Sequence, residues 1–359
     1  MYKYETMEGL CHEIFSKMGC SEADASIVTK VLLEAELHGL PSHGLLRVKD
    51  IYQLWKAGRI NATPQVKIVH ETPSTATVDG DGAIGIVAAH YAMQVAIEKA
   101  DKCGTGWVAV RNSNHFGIAG YYAEMALEKD MTGIAMTNAN PLVAPTGSVS
   151  RLLGTNPIAV AIPTDKQPPF VADFATTPIA RGKLDLMGKQ GIEAPLGFVQ
   201  DKDGVPSTNP DILKEGGAIV PLGGDELHGS HKGYCMGALV DIFSAVFSGA
   251  NFGPFVPPQV AYLPLLDKKV GEGLGHFFGA MRIDGFRPAG EFKASMDQWI
   301  ETVRGAKPAK GVEKVLIPGD KERAKKAQIL ADGINIIAAV EADLRGICEE
   351  LAVAFPVAD

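Results

Sequence analysis

The chain has 359 residues, 46% hydrophobic and 21% charged, an ordinary globular composition with apolar material for two or three folding units. A net charge of −8 and a pI near 5.6 argue against nucleic acid or an anionic membrane as a partner. Five scattered cysteines, Cys11, Cys20, Cys103, Cys235 and Cys348, form no CxxC pair. No disulfide framework or zinc site is expected, and a cytoplasmic setting fits them best.

The N-terminus is polar, so no signal peptide is expected. Residues 1–60 read as helical. Apolar positions at helical spacing run over 4–18, Ser21-Glu22-Ala23-Asp24 opens a second helix with a serine cap and early acids, and Gly39-Leu40-Pro41 closes it. A third helix is expected over 42–56. From about residue 63, strands (75–78, 107–110, 133–137, 156–163, 170–172) alternate with helices (86–102, 120–129). That texture predicts an α/β fold around a mixed sheet. Residues 185–221 and 252–275 are rich in Pro and Gly and read as loops. Residues 232–247 read as a helix. The surrounding apolar stretch, 233–250, contains Asp241 and reads as a buried core helix rather than a membrane span. A strand over 276–283, an amphipathic helix over 292–304 and a helix over 321–354, packed on the N-terminal helices, complete the chain.

Chemistry-bearing residues gather at strand ends. Asn112-Ser113-Asn114-His115-Phe116-Gly117 follows a strand and precedes a helix, where an α/β protein presents reactive groups. A histidine there can pass a proton near neutral pH. In Ser42-His43-Gly44-Leu45-Leu46-Arg47, His43 and Arg47 are four apart and share a helical face. That is a proton carrier beside a guanidinium fork, suited to a carboxylate next to a carbonyl. The bland alternatives are a packed histidine and a solvated His–Arg pair. Gly80-Asp81-Gly82-Ala83-Ile84-Gly85 matches GxGxxG, yet the next strand ends Val110-Arg111 with no acid for a ribose; a tight strand-to-helix turn is the better reading. Asn138-Ala139-Asn140-Pro141, Gly154-Thr155-Asn156-Pro157 and Asp173-Phe174-Ala175-Thr176-Thr177 supply polar strand ends able to hold ribose and pyrophosphate. Lys232 stands at a helix start, a phosphate position or a solvated one. No HxH or HExxH occurs among the nine histidines, which speaks against a metal hydrolase.

In order from residue 42 to residue 322, these pieces resemble the type-2 malate/L-lactate dehydrogenase family, which also includes ureidoglycolate, sulfolactate and diketogulonate oxidoreductases. The matching residues are Ser42-His43-Gly44 with Arg47, 112–117, Gly154-Thr155-Asn156-Pro157, and Asp173-Phe174-Ala175-Thr176-Thr177 with Arg181-Gly182-Lys183. They continue with Pro221-Leu222-Gly223-Gly224, His231-Lys232-Gly233-Tyr234, and Pro318-Gly319-Asp320 with Glu322. The resemblance implies a non-Rossmann mixed-sheet nucleotide-binding core over 63–319 and a helical domain formed by both chain ends, 1–62 and 320–359. It implies a homodimer with its active site in an interdomain cleft. It makes His115 and His43 the acid/base candidates, with Ser42 beside them, and Arg47 the carboxylate binder. Asp173, Phe174, Ala175, Lys232, Pro318, Gly319 and Asp320 become the nicotinamide-dinucleotide contacts, with Asn138 and Asn140 on a neighbouring loop. Phe174, Thr177 and Asp320 replace the Met, Ser and Glu common at these places in the family.

The expected activity is hydride transfer between NAD, or NADP, and a 2-hydroxy/2-oxo acid. Malate/oxaloacetate is favoured because Arg181 or Lys183 could meet a second carboxylate. Lactate, sulfolactate, ureidoglycolate, diketogulonate and cyclic imino acids are the alternatives, and a non-catalytic ligand-binding relative is the rival of another class. The choice between His43 and His115 and the role of 251–275 stay open.

Overall fold

The structure is a computed structural model that describes residues 1–358. In chain order the strands are β1 (Lys67–Glu71), β2 (Thr75–Asp79), β3 (Thr105–Ser113), β4 (Met131–Thr137), β5 (Ile158–Ile162), β6 (Phe170–Phe174), β7 (Val199–Gln200), β8 (Pro206–Ser207), β9 (Ala218–Ile219) and β10 (Leu274–Arg282). The helices are α1 (Tyr4–Lys17), α2 (Glu22–Leu37), α3 (Leu46–Lys56), α4 (Gly85–Cys103), α5 (Ala119–Met125), α6 (Arg181–Gln190), α7 (Ser230–Asp241), α8 (Ala289–Arg304), α9 (Asp320–Asp332) and α10 (Ala338–Leu351).

The main sheet has the order β1-β2-β3-β10-β4-β5-β6, and β8-β7-β9 form a small second sheet. Among the described strands β2 and β3 alone pair parallel, joined by the α4 crossover; the other strand pairs are antiparallel. This is the expected non-Rossmann mixed sheet. β10 arrives from far along the chain and inserts between β3 and β4, so it is buried from Leu274 to Ala280. α4 lies close on the sheet through small residues, with Ala88, Ala89, Ala92 and Ala96 all buried.

Ser21 caps α2 by accepting the Asp24 N–H at 3.1 Å. α10 lies on α3 through Lys49–Asp343 (2.6 Å) and Tyr52–Glu350 (2.9 Å), and Lys326 of α9 pairs with Glu34 of α2 at 2.7 Å. The apolar interior of these terminal helices is continuous with that of the sheet.

Four expectations are corrected. The helix expected over 42–56 is broken: Pro41–His43 is a 3-10 turn, Gly44 is extended (φ −97, ψ −130), and α3 begins at Leu46. The buried Glu36 carboxylate causes the break. It accepts the Leu45 N–H at 2.7 Å, and a Cβ on Gly44 would stand 2.3 Å from its Oε1. His43 and Arg47 therefore do not share a face of one helix. The helix expected over 321–354 is two, α9 and α10, parted at Gly333 (φ +91), after which Ile334 pairs with Tyr2. Residues 185–221 include most of α6 and the small sheet. The helix expected to be buried in the core is not: α7 and the π-turn Ile242–Val246 leave Leu239 (52%), Ile242 (45%), Val246 (58%) and Phe247 (61%) exposed. Among the described residues, no helix is long and apolar enough to cross a membrane.

Candidate active site

The loop that carries His115 leaves β3 at Ser113 and is seated on the GxGxxG turn. Asn114 Nδ2 donates to the carbonyls of Gly82 (3.1 Å) and Ala83 (2.8 Å). Gly85 opens α4 against this loop, where a Cβ would lie 1.9 Å from the Asn114 carbonyl oxygen. The motif's last glycine thus permits contact between two backbones.

His115 and His43 stack, with ring centroids 5.5 Å apart and planes at 30°. The Gly117 N–H donates to His115 Nδ1 at 3.3 Å, which places the proton of the neutral ring on Nε2. Burial holds His115 well below the usual histidine range, aided by the charges of Arg47, His43 and His276. Burial and Arg47 push His43 down to about 4; its Nδ1 shares a hydrogen bond with Ser42 Oγ at 2.9 Å. Arg47 Nε donates to the Ser42 carbonyl (2.6 Å) and Nη1 to Asp50 (2.6 Å). Its Nη2 has no partner among the described residues. Both rings are free bases at neutral pH beside a fixed positive charge.

His115 and Arg47 open onto a narrow cavity of about 10 Å³, room for about one water, together with Asp50, Asn114 and Gln259; Ile51, Leu54, Ile60 and Ile84 form its apolar wall. A second hollow of about 470 Å³, large enough for a small-molecule site, runs from Gly120 at the start of α5 to the Pro318-Gly319 turn. Asp173 and Phe174 of β6 line it. Asp173 opens onto the groove, yet the protein crowded around it raises its carboxyl to about 6. The Gly120 N–H, donated at 2.7 Å, opposes the rise and Glu322 adds to it. Burial and Glu34 push Glu124, in the same groove, up to about 7.

Of the expected cofactor contacts, Asp173, Phe174, Pro318 and Gly319 share this groove. Ala175 follows them, half-buried, and Lys232 is exposed on the first turn of α7, away from the groove lining. Asn140 carries a buried Oδ1 without a partner, an acceptor that a ligand N–H would satisfy. Two residues have their polar groups spent within the protein. Asn138 donates to Asp241 (3.1 Å) and the Asn251 carbonyl (2.8 Å) and accepts the Gly275 N–H (3.1 Å). Asp320 accepts from Arg304 and Arg323 (both 2.7 Å) and from the Ile317 N–H (2.9 Å).

His276 has no place among the expected residues. It is fully buried on β10, with Nδ1 bonded to Thr137 Oγ1 and Nε2 to Ser113 Oγ, both at 2.7 Å, and its ring lies 4.8 Å from that of Phe116. It joins the two strand ends from which the His115 loop and the Asn138–Asn140 loop depart. Burial pushes it down to about 3. Only its position in an otherwise apolar strand, Gly275-His276-Phe277-Phe278, could have drawn notice.

One neutral imidazole shares a narrow cavity with a guanidinium, a second imidazole stacks on the first, and a separate groove lies between the start of α5, β6 and the Pro318-Gly319 turn. The sequence model of the malate/L-lactate dehydrogenase family matches residues 2–345. The chain is 42% identical to malate dehydrogenase of Pyrococcus abyssi over 341 residues, 95% of this chain and 92% of that one. It is 39% identical to L-sulfolactate dehydrogenase of Methanocaldococcus jannaschii over 97% and 96% of the two chains. The solved structure of malate dehydrogenase from Pyrococcus horikoshii superposes with a TM-score of 0.89 at 38% identity, covering 98% of this chain and 96% of that one. The chain belongs to the malate/L-lactate dehydrogenase family, and it is an oxidoreductase acting on a CH–OH group.

Proposed function

We propose that the protein is an NAD-dependent 2-hydroxyacid dehydrogenase whose substrate pair is malate/oxaloacetate. The observation that carries this reading is the unspent Nη2 of Arg47 in one small cavity with neutral His115. The Arg47 edge takes the carboxylate next to the reacting carbon. In reduction the protonated His115 gives its Nε2 proton to the C2 oxygen and is left neutral with its remaining proton on Nδ1, the 3.3 Å Gly117 contact being given up; in oxidation that same neutral ring takes the proton back at Nε2. His43 stacks behind His115 and is oriented by Ser42. An incoming carboxylate offsets the Arg47 charge, which after burial is the next cause holding both imidazoles down, and so moves both upward. The alternative, sulfolactate, is the substrate in the name of the M. jannaschii relative.

The groove fits a nicotinamide dinucleotide, which when bound supplies the hydride in reduction and accepts it in oxidation. Asp173, Phe174, Pro318 and Gly319 would hold it, with Ala175 beside them and Asn140 Oδ1 as an acceptor; Lys232, outside the groove lining, is the candidate for a phosphate that extends past it. NAD rather than NADP is favoured because the groove carries the carboxylates of Asp173 and Glu322, while Arg323 is already bound to Asp320, leaving Lys321 to meet a 2′-phosphate. We assign residues 1–62 and 320–359 to a helical unit and 63–319 to the core; the ion pairs of α9 and α10 with α2 and α3 support this division. The outward apolar stripe of α7 supports a homodimer, and five free thiols are compatible with the cytoplasm.

The test is a screen of 2-oxoacids with NADH and with NADPH, followed by nicotinamide absorbance. NADH consumption with oxaloacetate is expected, and no consumption with any acid overturns the reading. His115→Asn should lose kcat by roughly 10²–10⁴-fold, and His43→Asn less. If both variants turn over at the wild-type rate, the proton route is wrong.

A further inference from the structure

We propose that residues 252–269 form a strap that completes the substrate cavity, and that Gln259 on it reads the end of the hydroxyacid remote from the reacting carbon. This rests on the reading above and deepens it.

An excursion of this length without a strand or long helix of its own is uncommon inside a compact unit unless it has work to do. This one is closed at its neck: Asn251 Oδ1 accepts the N–H groups of Val270 and Gly271 (both 3.1 Å), and Asn251 Nδ2 donates to the Gly273 carbonyl (3.1 Å). It is also pinned at its tip. Arg59, just past α3, donates from Nη1 to the carbonyls of Val260 and Leu263 (both 3.1 Å) and from Nη2 to that of Pro258. The carbonyls on either side of Gln259 are therefore held by one guanidinium, and among the described residues no carboxylate lies within salt-bridge distance of it.

Gln259 thereby faces the cavity shared by Arg47 and His115. Its half-buried amide makes no hydrogen bond among the described residues. Of the other polar groups there, Asp50 is tied to Arg47 and the Asn114 amide hydrogens are given to Gly82 and Ala83. Three donors remain unspent: the Arg47 Nη2 edge, His115 Nε2 and the Gln259 amide. The first two are matched to the carboxylate and the C2 oxygen, which leaves Gln259 for the substituent on C3. A neutral amide there donates to a carboxylate or sulfonate without demanding a charge. Arg181 and Lys183, the basic groups suggested by sequence, do not line this cavity; Arg181 is half-exposed and pairs with Asp185 (3.6 Å).

The experiment compares kcat/KM for oxaloacetate with that for pyruvate, which lacks the second anionic group. Gln259→Ala should lower the oxaloacetate value by roughly 10–100-fold, the worth of a hydrogen bond to a charged group, and leave pyruvate within about 3-fold. Arg59→Ala, outside the cavity, should shift the same ratio in the same direction, and the double variant should be no worse in ratio than Gln259→Ala alone. Equal losses for both acids, or no loss, overturn the strap as a reader. If the wild type reduces neither acid, the proposed activity fails separately. The strap is then judged by calorimetric binding of malate against lactate, where an unchanged preference in Gln259→Ala overturns it.

Discussion

His276 sits buried with both ring nitrogens bonded to hydroxyls and is pushed down to about 3. The unfolded chain takes up this proton near pH 6.5. Between pH 6.5 and 3 the unfolded state therefore binds more protons, so this contribution is complete above about pH 6.5 and declines as pH falls. The slope is about 1.4 kcal/mol per pH unit. His43 and His115 act in the same direction. Asp173 and Glu124, raised to about 6 and about 7, act in the opposite one: the folded state protonates first and gains stability as pH falls through those values. A variant isolates the histidine. His276→Gln should lose about 1–3 kcal/mol at pH 7 from unmade hydrogen bonds, yet its Tm should fall less steeply than the wild type's between pH 6 and pH 4. Parallel pH profiles would show that position 276 does not carry a buried neutral imidazole. His115 was legible because it follows a strand in a polar loop. His276 was not, since Ser113 and Thr137, its partners, lie 163 and 139 residues away in sequence. Asn138 and Asp320 show the converse limit: a polar strand end or turn looks available until its internal partners are known.

At the scale of elements, the His115 loop depends on the start of α4. Gly85 cannot carry a side chain without meeting the Asn114 carbonyl at 1.9 Å, and α4 cannot easily retreat because Ala88 and Ala89 on its next turn are fully buried. Gly85→Ala should therefore displace the loop. A misplacement near 1 Å would cost roughly 100-fold in kcat, with about 1–3 kcal/mol of stability lost to overpacking. Gly104→Ala is the control: its φ is +84 with nothing within 4 Å, so it should lower Tm slightly and leave kcat unchanged. If Gly85→Ala keeps full activity, the turn does not seat the loop. The strand–turn–helix around Gly85 was readable because strand, glycines and helix are adjacent in sequence. The break before α3 was not, because the Glu36 carboxylate that forces it lies on the preceding helix. α6 escaped notice because Leu184 is its one buried residue, so it shows no apolar stripe.

For the whole molecule, the sheet order depends on β10 crossing from far along the chain to lie between β3 and β4. Periodicity marks such a strand without saying where it inserts. The same limit explains the misreading of α7, since apolar residues facing solvent and apolar residues facing a core have one pattern. Leu239, Ile242, Val246 and Phe247 are spaced as a stripe on the outer side of the helix and its π-turn. The inner side is fixed: a Cβ on Gly237 would lie 3.2 Å from Thr176 Oγ1, and Asn156 Nδ2 donates to the Gly237 carbonyl at 2.9 Å. α7 thus backs the turn that follows Asp173, and a second copy packed on its outer stripe would brace that turn. Phe247→Glu together with Val246→Glu would place carboxylates in such an interface without a partner, a cost of several kcal/mol. Sedimentation should then show a dimer for the wild type, as proposed, and monomers for the variant. Because the bracing acts on the cofactor groove rather than on the imidazoles, the KM for NADH should rise with kcat nearly unchanged. A dimer that survives both substitutions would move the interface elsewhere, and a monomeric variant with unaltered KM would separate assembly from the site.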